Sequence, residues 1–552
     1  MPTIAVKKVE IEKLLHKEYE EQAFNDILFD FGLEIDEITQ EDGFVVYKIE
    51  IPANRYDLLC TQGLVHALRS YLFGVEFRDV EIKKGNYSII LEDREHRGEV
   101  AAAVIKNYKF NEHSYQNFIS FQEKLCGSVG RNRAIVAIGT HDLSKVSFPV
   151  VYKSVEKKEV NFVPLRHTSS VNGADLQDLL SSDNNLSKYF RLVRENEFNV
   201  FVDAKGQILS IPPIINSEDT KISQSTTDIL IEVTGTNFHK VNTALKMILN
   251  AFRTDEVYSV EVNSISTPVQ NTKTYHLTVE EIAKELNITI GADDLIGLLT
   301  KMMYRCERVN DSEIVVYVPE ARQDVLHKVD LIEDVAVAYG FNNFSRSLPD
   351  INTIGLADPF NKFTDKIRME MALLGFLEVH TLALVSKTEN LFDSENAIEV
   401  DNFKSLECEV GRTSLLPGLL KSVACNLHTK IPMKIFECGD VLILEESHDI
   451  GARNLRMLSC LLVSNASQLE EVQGPLTLLL NKCGIHNFEY IRKDYENRYL
   501  KNQSASIVIS GEEVGSVGVV DPKVLKIFKL PYPGSAFELN LEKLFNLFIK
   551  FN

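Results

Sequence analysis

Tryptophan is absent from the 552 residues, and nothing about fold or function follows from that. Other absences exclude more. No stretch of 18 apolar residues exists, so no segment reads as a membrane-spanning helix. The N-terminus, Met-Pro-Thr-Ile-Ala-Val-Lys-Lys-Val-Glu-Ile-Glu, is charged early and lacks an apolar signal core. The eight cysteines (60, 126, 306, 408, 425, 438, 460 and 483) are scattered, with no Cys-x-x-Cys pair. That speaks against a zinc site or a disulfide framework and for reduced thiols in the cytoplasm. Positive charge is in deficit: 59 Lys and Arg against 79 Asp and Glu, a net charge of −20. Such a chain does not coat nucleic acid by bulk charge, but a local basic patch or a basic partner subunit remains compatible with it.

The remaining composition is ordinary for a globular protein, at 44% apolar and 25% charged. At about 100–200 residues per domain, the length implies three to five domains.

One acidic cluster stands out: Asp324, Asp330, Glu333 and Asp334, within Pro319–Gly340. The last three fall at i, i+3 and i+4, which on a helix puts three carboxylates on one face. Such a face is either solvated or holds a cation. All-oxygen donors suit Mg²⁺ or Ca²⁺ rather than zinc. The apolar residues Val325, Leu326, Val329, Ile332, Val335, Ala336 and Tyr339 are expected to bury the other face and aim the carboxylates at one place.

The segment has an internal echo. Ile49-Glu-Ile-Pro-Ala-Asn-Arg-Tyr-Asp-Leu-Leu resembles Val316-Tyr-Val-Pro-Glu-Ala-Arg-Gln-Asp-Val-Leu. Both read as an edge strand, a Pro-x-x-Arg-x-Asp corner and an amphipathic helix. The Asp is expected to cap the helix, and the Arg to pair with it or with the strand. Gly63, His66 and Ala67 stand in the first copy where the second has Asp330, Glu333 and Asp334. The corner is thus a fold device, and the added carboxylates are the functional variation.

Between the copies lies an α+β stretch with strands near 87–91, 100–105, 134–138, 199–202 and 229–233, and helices over 114–129 and 238–252. Thr278-Val-Glu-Glu281 is a capping box opening a helix over 279–286. A helix over 292–303 and a strand over 313–318 follow. Beyond 355 the pattern predicts a helix over 360–374 and an alternating strand over 378–384. A Pro-Gly-started helix at 416, a strand over 433–443, and strands at 506–510, 513–520 and 537–541 complete the chain.

Ordered blocks carry a resemblance: Ile51-Pro-Ala-Asn-Arg-Tyr-Asp-Leu-Leu59, Ala137-Ile-Gly-Thr-His-Asp-Leu143, Ile211-Pro-Pro-Ile-Ile-Asn216, Ile231-Glu-Val-Thr-Gly-Thr236, Arg322-Gln-Asp324, Asp330-Leu-Ile-Glu-Asp334, Ala338-Tyr-Gly-Phe-Asn342, Arg412-Thr-Ser-Leu-Leu-Pro-Gly-Leu-Leu420 and Phe436-Glu-Cys-Gly-Asp440. Six or more blocks at compatible spacing make the match specific. The chain resembles, over essentially its whole length, the beta subunit of phenylalanyl-tRNA synthetase of the cytosolic, archaeal/eukaryotic type. The resemblance implies an α+β multidomain chain. Its parts would be an N-terminal domain (1–85), an editing-type domain (86–268), a metal-site domain (269–350) and a class II-like antiparallel domain without catalytic motifs (351–552).

It further implies an α2β2 complex that joins phenylalanine to tRNA(Phe) using ATP, releasing AMP and diphosphate. The alpha subunit would bind ATP and phenylalanine. Asp324, Asp330, Glu333 and Asp334 would hold a Mg²⁺ shared with that subunit. The central domain would hydrolyse mischarged Tyr-tRNA(Phe), with candidates Thr140, His141, Asp142, Asn216, Glu232, Thr234, Gly235 and Thr236. Glu232 or Asp142 is expected to meet the tyrosine hydroxyl, and Thr and Gly backbone groups to hold the ester and water. No partner at metal spacing makes His141 a zinc ligand. Residues 351–552 contain no Gly-x-Gly-x-x-x-Arg block for ATP. Asn402-Phe-Lys-Ser departs from the usual Asn-Pro-Lys type of turn. The end at 552 is expected to reflect absence of the further domains of bacterial beta subunits. Two other readings compete: a scaffold with a dead editing pocket, and a free-standing magnesium-dependent hydrolase. The latter needs an open coordination position and a base, for which the acidic segment offers only His327.

Overall fold

The computed structural model describes every residue except 1, 42, 93, 94, 347, 349, 350, 352, 391–393 and 552. The expected domain boundary at 350 therefore lies outside the described residues. The chain folds as two units, residues 1–348 and 349–552.

The first unit contains two small antiparallel sheets of the same design. One runs Thr3–Lys7, Phe44–Glu50, Glu34–Glu41; the other runs Lys273–Thr278, Glu313–Val318, Arg305–Arg308. In each, the strand that enters the Pro-x-x-Arg-x-Asp corner is the central strand, not the expected edge strand. Pro52 and Pro319 fall just past the strand ends, so neither removes a donor from the ladder. Arg55 grips Asp57 with two bonds, Nε to Oδ1 at 2.9 Å and Nη2 to Oδ2 at 2.8 Å. Arg322 grips Asp324 the same way, at 3.0 and 2.7 Å. The aspartates are therefore arginine partners and not helix caps. The caps are Cys60 for Thr61–Phe73 and His327 for Lys328–Tyr339.

Between these modules sits a ten-stranded sheet. Nine strands run in the order Ile215–Asn216, Ile208–Ile211, Glu197–Val202, Val150–Glu156, Ile82–Leu91, Val257–Val262, Glu99–Ile105, Ile229–Gly235, Val136–Asp142, and the tenth, Ile265–Thr267, pairs with Val257–Val262 off this path. The helices Glu112–Gly127 and Phe238–Ala251 cover one face. Side chains alternate across a strand, so Ile229, Ile231 and Val233 join Val241, Leu245 and Ile248 in one core. Leu230 turns the other way, to Val100, Ala102 and Val104.

A buried polar junction ties the sheet to the corners. Both carboxylate oxygens of Asp79 accept from Glu320 N, and Asn250 Nδ2 donates to Oδ1 at 3.1 Å. Lys246 Nζ donates to Glu320 Oε1 at 2.6 Å. Burial is the main force pushing the Asp79 carboxyl up to about 6, and the nearby Glu320 charge adds to it. A raised carboxyl favours the fold at low pH and loses that contribution as pH rises through its folded value. Asp79→Asn should therefore gain stability over wild type between about pH 4 and 6, reaching about 3 kcal/mol above that window. Urea unfolding from pH 4 to 7 checks this; parallel curves for the two proteins would refute it.

The second unit is built on a seven-stranded sheet in the order Leu377–Glu378, Met433–Leu444, Ala452–Val463, Gly534–Asn540, Glu512–Val520, Tyr499–Ile509, Glu489–Arg492. Helices Pro359–Leu373 and Glu470–Lys482 pack on one face; Leu416–Cys425 and Pro522–Ile527 pack on the other. The continuous strand expected over 378–384 is instead two short pieces, Leu377–Glu378 and Leu384–Val385, in different sheets. Between them the Thr381 hydroxyl turns to Glu437. Among the described residues no helix is long and apolar enough to cross a membrane.

Candidate functional site

The strand Ile229–Gly235 is buried along its whole length, yet carries Glu232 and Thr234. Its register places Glu232 opposite Ala102 on one side and Gly139 on the other. His141 lies opposite Leu230 and so shares that face. Both register neighbours are small, and the carboxylate lies directly over Gly139. A Cβ at Gly139 would sit 2.0 Å from Glu232 Oε1 and 3.3 Å from Asn216 Oδ1.

The sheet curls until its two ends meet over this spot. Ser210 lies on the second strand from one end and Glu232 on the second from the other, with five strands between them. Ser210 Oγ nonetheless donates to Glu232 Oε1 at 2.8 Å. Asn216 is Ser210's register partner. The His141 ring meets Thr220 Oγ1 through Nδ1 at 2.8 Å, and its Nε2 lies 3.8 Å from Glu232 Oε1.

Several buried polar atoms here have no partner among the described residues: Glu232 Oε2, His141 Nε2 and Thr234 Oγ1. Glu232 is 2% exposed and His141 0%. An unsatisfied buried polar group costs about 1–3 kcal/mol, more when charged. Three on one sheet face mark a place built for something other than stability. Arg97, also buried, reaches the Thr234 carbonyl at 3.4 Å, and its Nε is likewise unpartnered among the described residues.

Four of the eight expected residues thus converge: His141, Asn216, Glu232 and Thr234. The other four do not, for reasons of alternation and end position. Thr140 points to the helix side, where it donates to Gln122 Oε1. Asp142 accepts from the Ser144 amide and hydroxyl and from Thr226 Oγ1. Burial raises its carboxyl, but these hydrogen bonds outweigh that and hold it below its ordinary value. Gly235 allows close packing, since a Cβ there would meet Ile135 O at 2.2 Å. Thr236 is exposed beyond the strand. The Thr-Gly backbone is paired with strands on both sides and so cannot cradle an ester. Sequence reading missed Ser210, Gly139 and Thr220, although Gly139 lay in a quoted block beside His141.

Gly139→Ala would drive a methyl group into the carboxylate of Glu232. Overpacking of this kind costs about 1–3 kcal/mol. Thermal denaturation should register that loss, and an unshifted melting temperature would mean that the pocket is roomier than its geometry indicates.

The acidic cluster is organised differently from expectation. Arg322 is buried, and its Nη2 bridges Asp324 Oδ2 at 2.7 Å and Asp334 Oδ2 at 2.6 Å. Tyr304 OH also donates to Asp334. Burial raises the Asp324 carboxyl, but the Arg322 charge and hydrogen bonds, with Arg55 behind them, hold it below the usual range. Asp330 Oδ2 accepts from the backbone amides of Leu326 and His327 at 2.7 and 2.8 Å, as part of the helix cap. Glu333 is exposed. The helix buries Leu331, Asp334, Val335, Ala336 and Ala338; of the expected apolar face Val325, Val335 and Ala336 are buried, but Leu326 and Val329 are 75% and 57% exposed. The buried face therefore overlaps the predicted one only in part and takes Asp334 inward. Among the described residues no three acidic, histidine or cysteine side chains gather round a metal position. The donors are hard oxygens of the kind Mg²⁺ takes, but in this chain alone a guanidinium already neutralises two of them, so they do not fit the ion unaided.

Four family models match the chain in order. These are the Phe-tRNA synthetase beta subunit B1 domain (1–83), the B3/4 domain (109–261), the tRNA synthetase B5 domain (275–341) and the phenylalanyl tRNA synthetase beta chain CLM domain (345–541). That order defines the class, a tRNA synthetase beta chain. A probable phenylalanine--tRNA ligase beta subunit of Vairimorpha ceranae is 56% identical, covering 92% of this chain and 100% of the relative. The Homo sapiens phenylalanine--tRNA ligase beta subunit is 34% identical, covering 98% and 99%. An N-terminal fragment of the Pyrococcus horikoshii beta subunit superposes with a TM-score of 0.58 at 28% identity, covering 61% of this chain and 99% of the fragment. The chain belongs to the phenylalanine--tRNA ligase beta-subunit family.

Proposed function

We propose that this chain works with an alpha subunit, as an α2β2 assembly in the cytoplasm, to charge tRNA(Phe), and that its own chemistry is hydrolysis of Tyr-tRNA(Phe). The observation that carries the editing reading is the unpartnered Glu232 Oε2 beside His141 and Asn216 in the curled sheet. A tyrosyl phenol donates to that oxygen. A phenylalanyl ring leaves it unsatisfied, so the correct product is disfavoured. His141 Nε2, unpartnered on the same face, is our choice for the group that holds the attacking water. Water oxygen adds to the ester carbonyl carbon, the bond to the terminal ribose oxygen breaks, and that oxygen takes a proton. Free tyrosine and uncharged tRNA leave.

ATP and phenylalanine are assigned to the alpha subunit. What supports this is the interior of the second unit. A buried polar row crosses its sheet, Glu437, Ser459, Glu538, Ser516 and Ser506 in register. The chain fills the row itself: Arg412 Nη1 donates to Glu437 at 2.8 Å, and Ser414 Oγ to Glu538 at 2.9 Å. An adenylate on this sheet face would have to displace the chain's own arginine and serine. Mg²⁺ at Asp324, Asp330, Glu333 and Asp334 is proposed only for the assembly, where the alpha subunit supplies the missing donors.

The test is deacylation of Tyr-tRNA(Phe) and Phe-tRNA(Phe) by this chain assembled with its alpha subunit. Selective loss of the tyrosyl ester is the expected result. No hydrolysis by a tetramer that still aminoacylates would leave a scaffold with a dead pocket.

A further inference from the structure

We propose that the cleft between helix Phe238–Ala251 and the second Pro-x-x-Arg-x-Asp corner is a phosphate-binding site, in which Lys246 and Lys273 hold the anion. The cleft encloses about 190 Å³. That is several times the roughly 30 Å³ a water takes in the liquid. His239, Asn242, Thr243 and Lys246 fall at i, i+3, i+4 and i+7, one stripe of the helix. The stripe faces residues 269–273 and 318–323 across the cleft. Lys246 is only 5% exposed. An ammonium has three donors. One goes to Glu320 Oε1 at 2.6 Å, and no other acceptor meets it among the described residues. Two donors of a buried charge are thus left in a cleft that this lysine lines. From the opposite wall Lys273 Nζ gives one bond, to Val325 O at 3.0 Å, and keeps two donors.

The corner does not need this charge pair in order to form. The two corners share their Pro, Arg and Asp, but Glu320 stands where the first has Ala53. Burying an ion pair costs desolvation, so the pair is weak evidence for a stabilising role. The negative groups nearby are already engaged. Glu320 Oε1 accepts from Lys246 and from the Asn271 amide at 2.7 Å. Asp79 accepts from the Glu320 amide and from Asn250. His239 stands at the exposed edge of the cleft. Loss of solvent, then the charges of Lys240, Lys273 and Lys246, hold it below its ordinary value. Three cations and no carboxylate set that balance, so the edge is positive. Lysine is a compact point charge that suits phosphate oxygens. Thr243 and Asn271 add neutral donors to the walls.

The experiment is equilibrium dialysis of inorganic phosphate against the assembled enzyme in potassium chloride. The proteins are wild type, Lys273→Gln, Glu320→Gln and the Lys246→Gln/Glu320→Gln double variant. The double variant removes the ion pair as a unit and leaves neither partner charged. Wild type should bind one phosphate per beta chain beyond what the double variant binds. Affinity at that site should fall at least about 10-fold in the double variant and in Lys273→Gln. Glu320→Gln alone should tighten binding about 10-fold, since it removes the neighbouring negative charge and loosens the hold on Lys246. Misfolding does not produce a gain, so this variant separates a binding site from a purely structural ion pair. Binding of tRNA(Phe) is the second arm. If the double variant weakens it and inorganic phosphate competes with it, the site holds a backbone phosphate. If tRNA binding is unchanged, the site holds a free phosphate or a phosphate monoester. Either outcome supports the site. Two results overturn it: equal phosphate uptake by wild type and the double variant, or binding that Glu320→Gln leaves unchanged or weakens.

Discussion

Replacing Glu232 with alanine is expected to reduce the preference for the tyrosyl over the phenylalanyl ester by about 100-fold. A hydrogen bond to a charged group contributes about 1.5–3 kcal/mol, or roughly 10- to 150-fold. The upper part of that range applies because the carboxylate is 2% exposed, so the phenol has no solvent-exchanged substitute. The change acts on both substrates. Tyrosine loses its acceptor, and phenylalanine no longer leaves a buried carboxylate unsatisfied. Hydrolysis of Phe-tRNA(Phe) should therefore rise while hydrolysis of Tyr-tRNA(Phe) falls. Steady-state deacylation of both esters by the assembled enzyme measures the ratio. A ratio within twofold of wild type would move the selecting group elsewhere and empty the pocket of its assigned purpose.

Replacing Arg322 with methionine is expected to destabilise the first unit by about 3–5 kcal/mol. Methionine approximates the length of the stem but removes the charge and every donor. Asp324 and Asp334 would then be two buried carboxylates without the cation that bridges them, and the Met302 carbonyl would lose its donor. The pH dependence should shift as well. Asp324 lies below its ordinary value in the fold, so its contribution is present above the unfolded value and lost as pH falls through the folded one. Without Arg322 that acid-side loss of stability should weaken. Urea unfolding at pH 7 tests the first statement, and unfolding at pH 7 against about pH 3 tests the second. Adding Asp324→Asn and Asp334→Asn to the methionine variant should recover much of the loss, because the cost lies in the unpaired charges. If the single variant unfolds like wild type, the cluster is not the brace its geometry makes it.

Both predictions turn on side chains that periodicity alone could not place. Alternation along 229–235 puts Glu232 and Thr234 together and Gly235 with the opposite set. It does not say which face the helices cover, and that decided the fates of Thr140 and Gly235. The i, i+3, i+4 spacing of Asp330, Glu333 and Asp334 suggests one helix face, but Asp334 is buried and Glu333 exposed. The three carboxylates part company: Asp330 takes the backbone amides of Leu326 and His327, Asp334 takes Tyr304 and Arg322, and Glu333 is exposed. Hydrogen bonds act over about 3 Å, so the local partner wins over a distant convergence that only spacing suggests.

The sequence by itself determined the family, the ordered modules, the doubled Pro-x-x-Arg-x-Asp corner and most strands and helices, because these rest on local periodicity and on blocks read in order. Only the tertiary structure decided what the polar residues do. A curled sheet brings Ser210 across to Glu232, lays the Glu232 carboxylate over Gly139, and hands two of four acidic residues to a buried arginine. Those contacts join elements remote in strand order or in chain, and their cause is the closure of the sheet and the burial of charge, neither of which is written in any one segment.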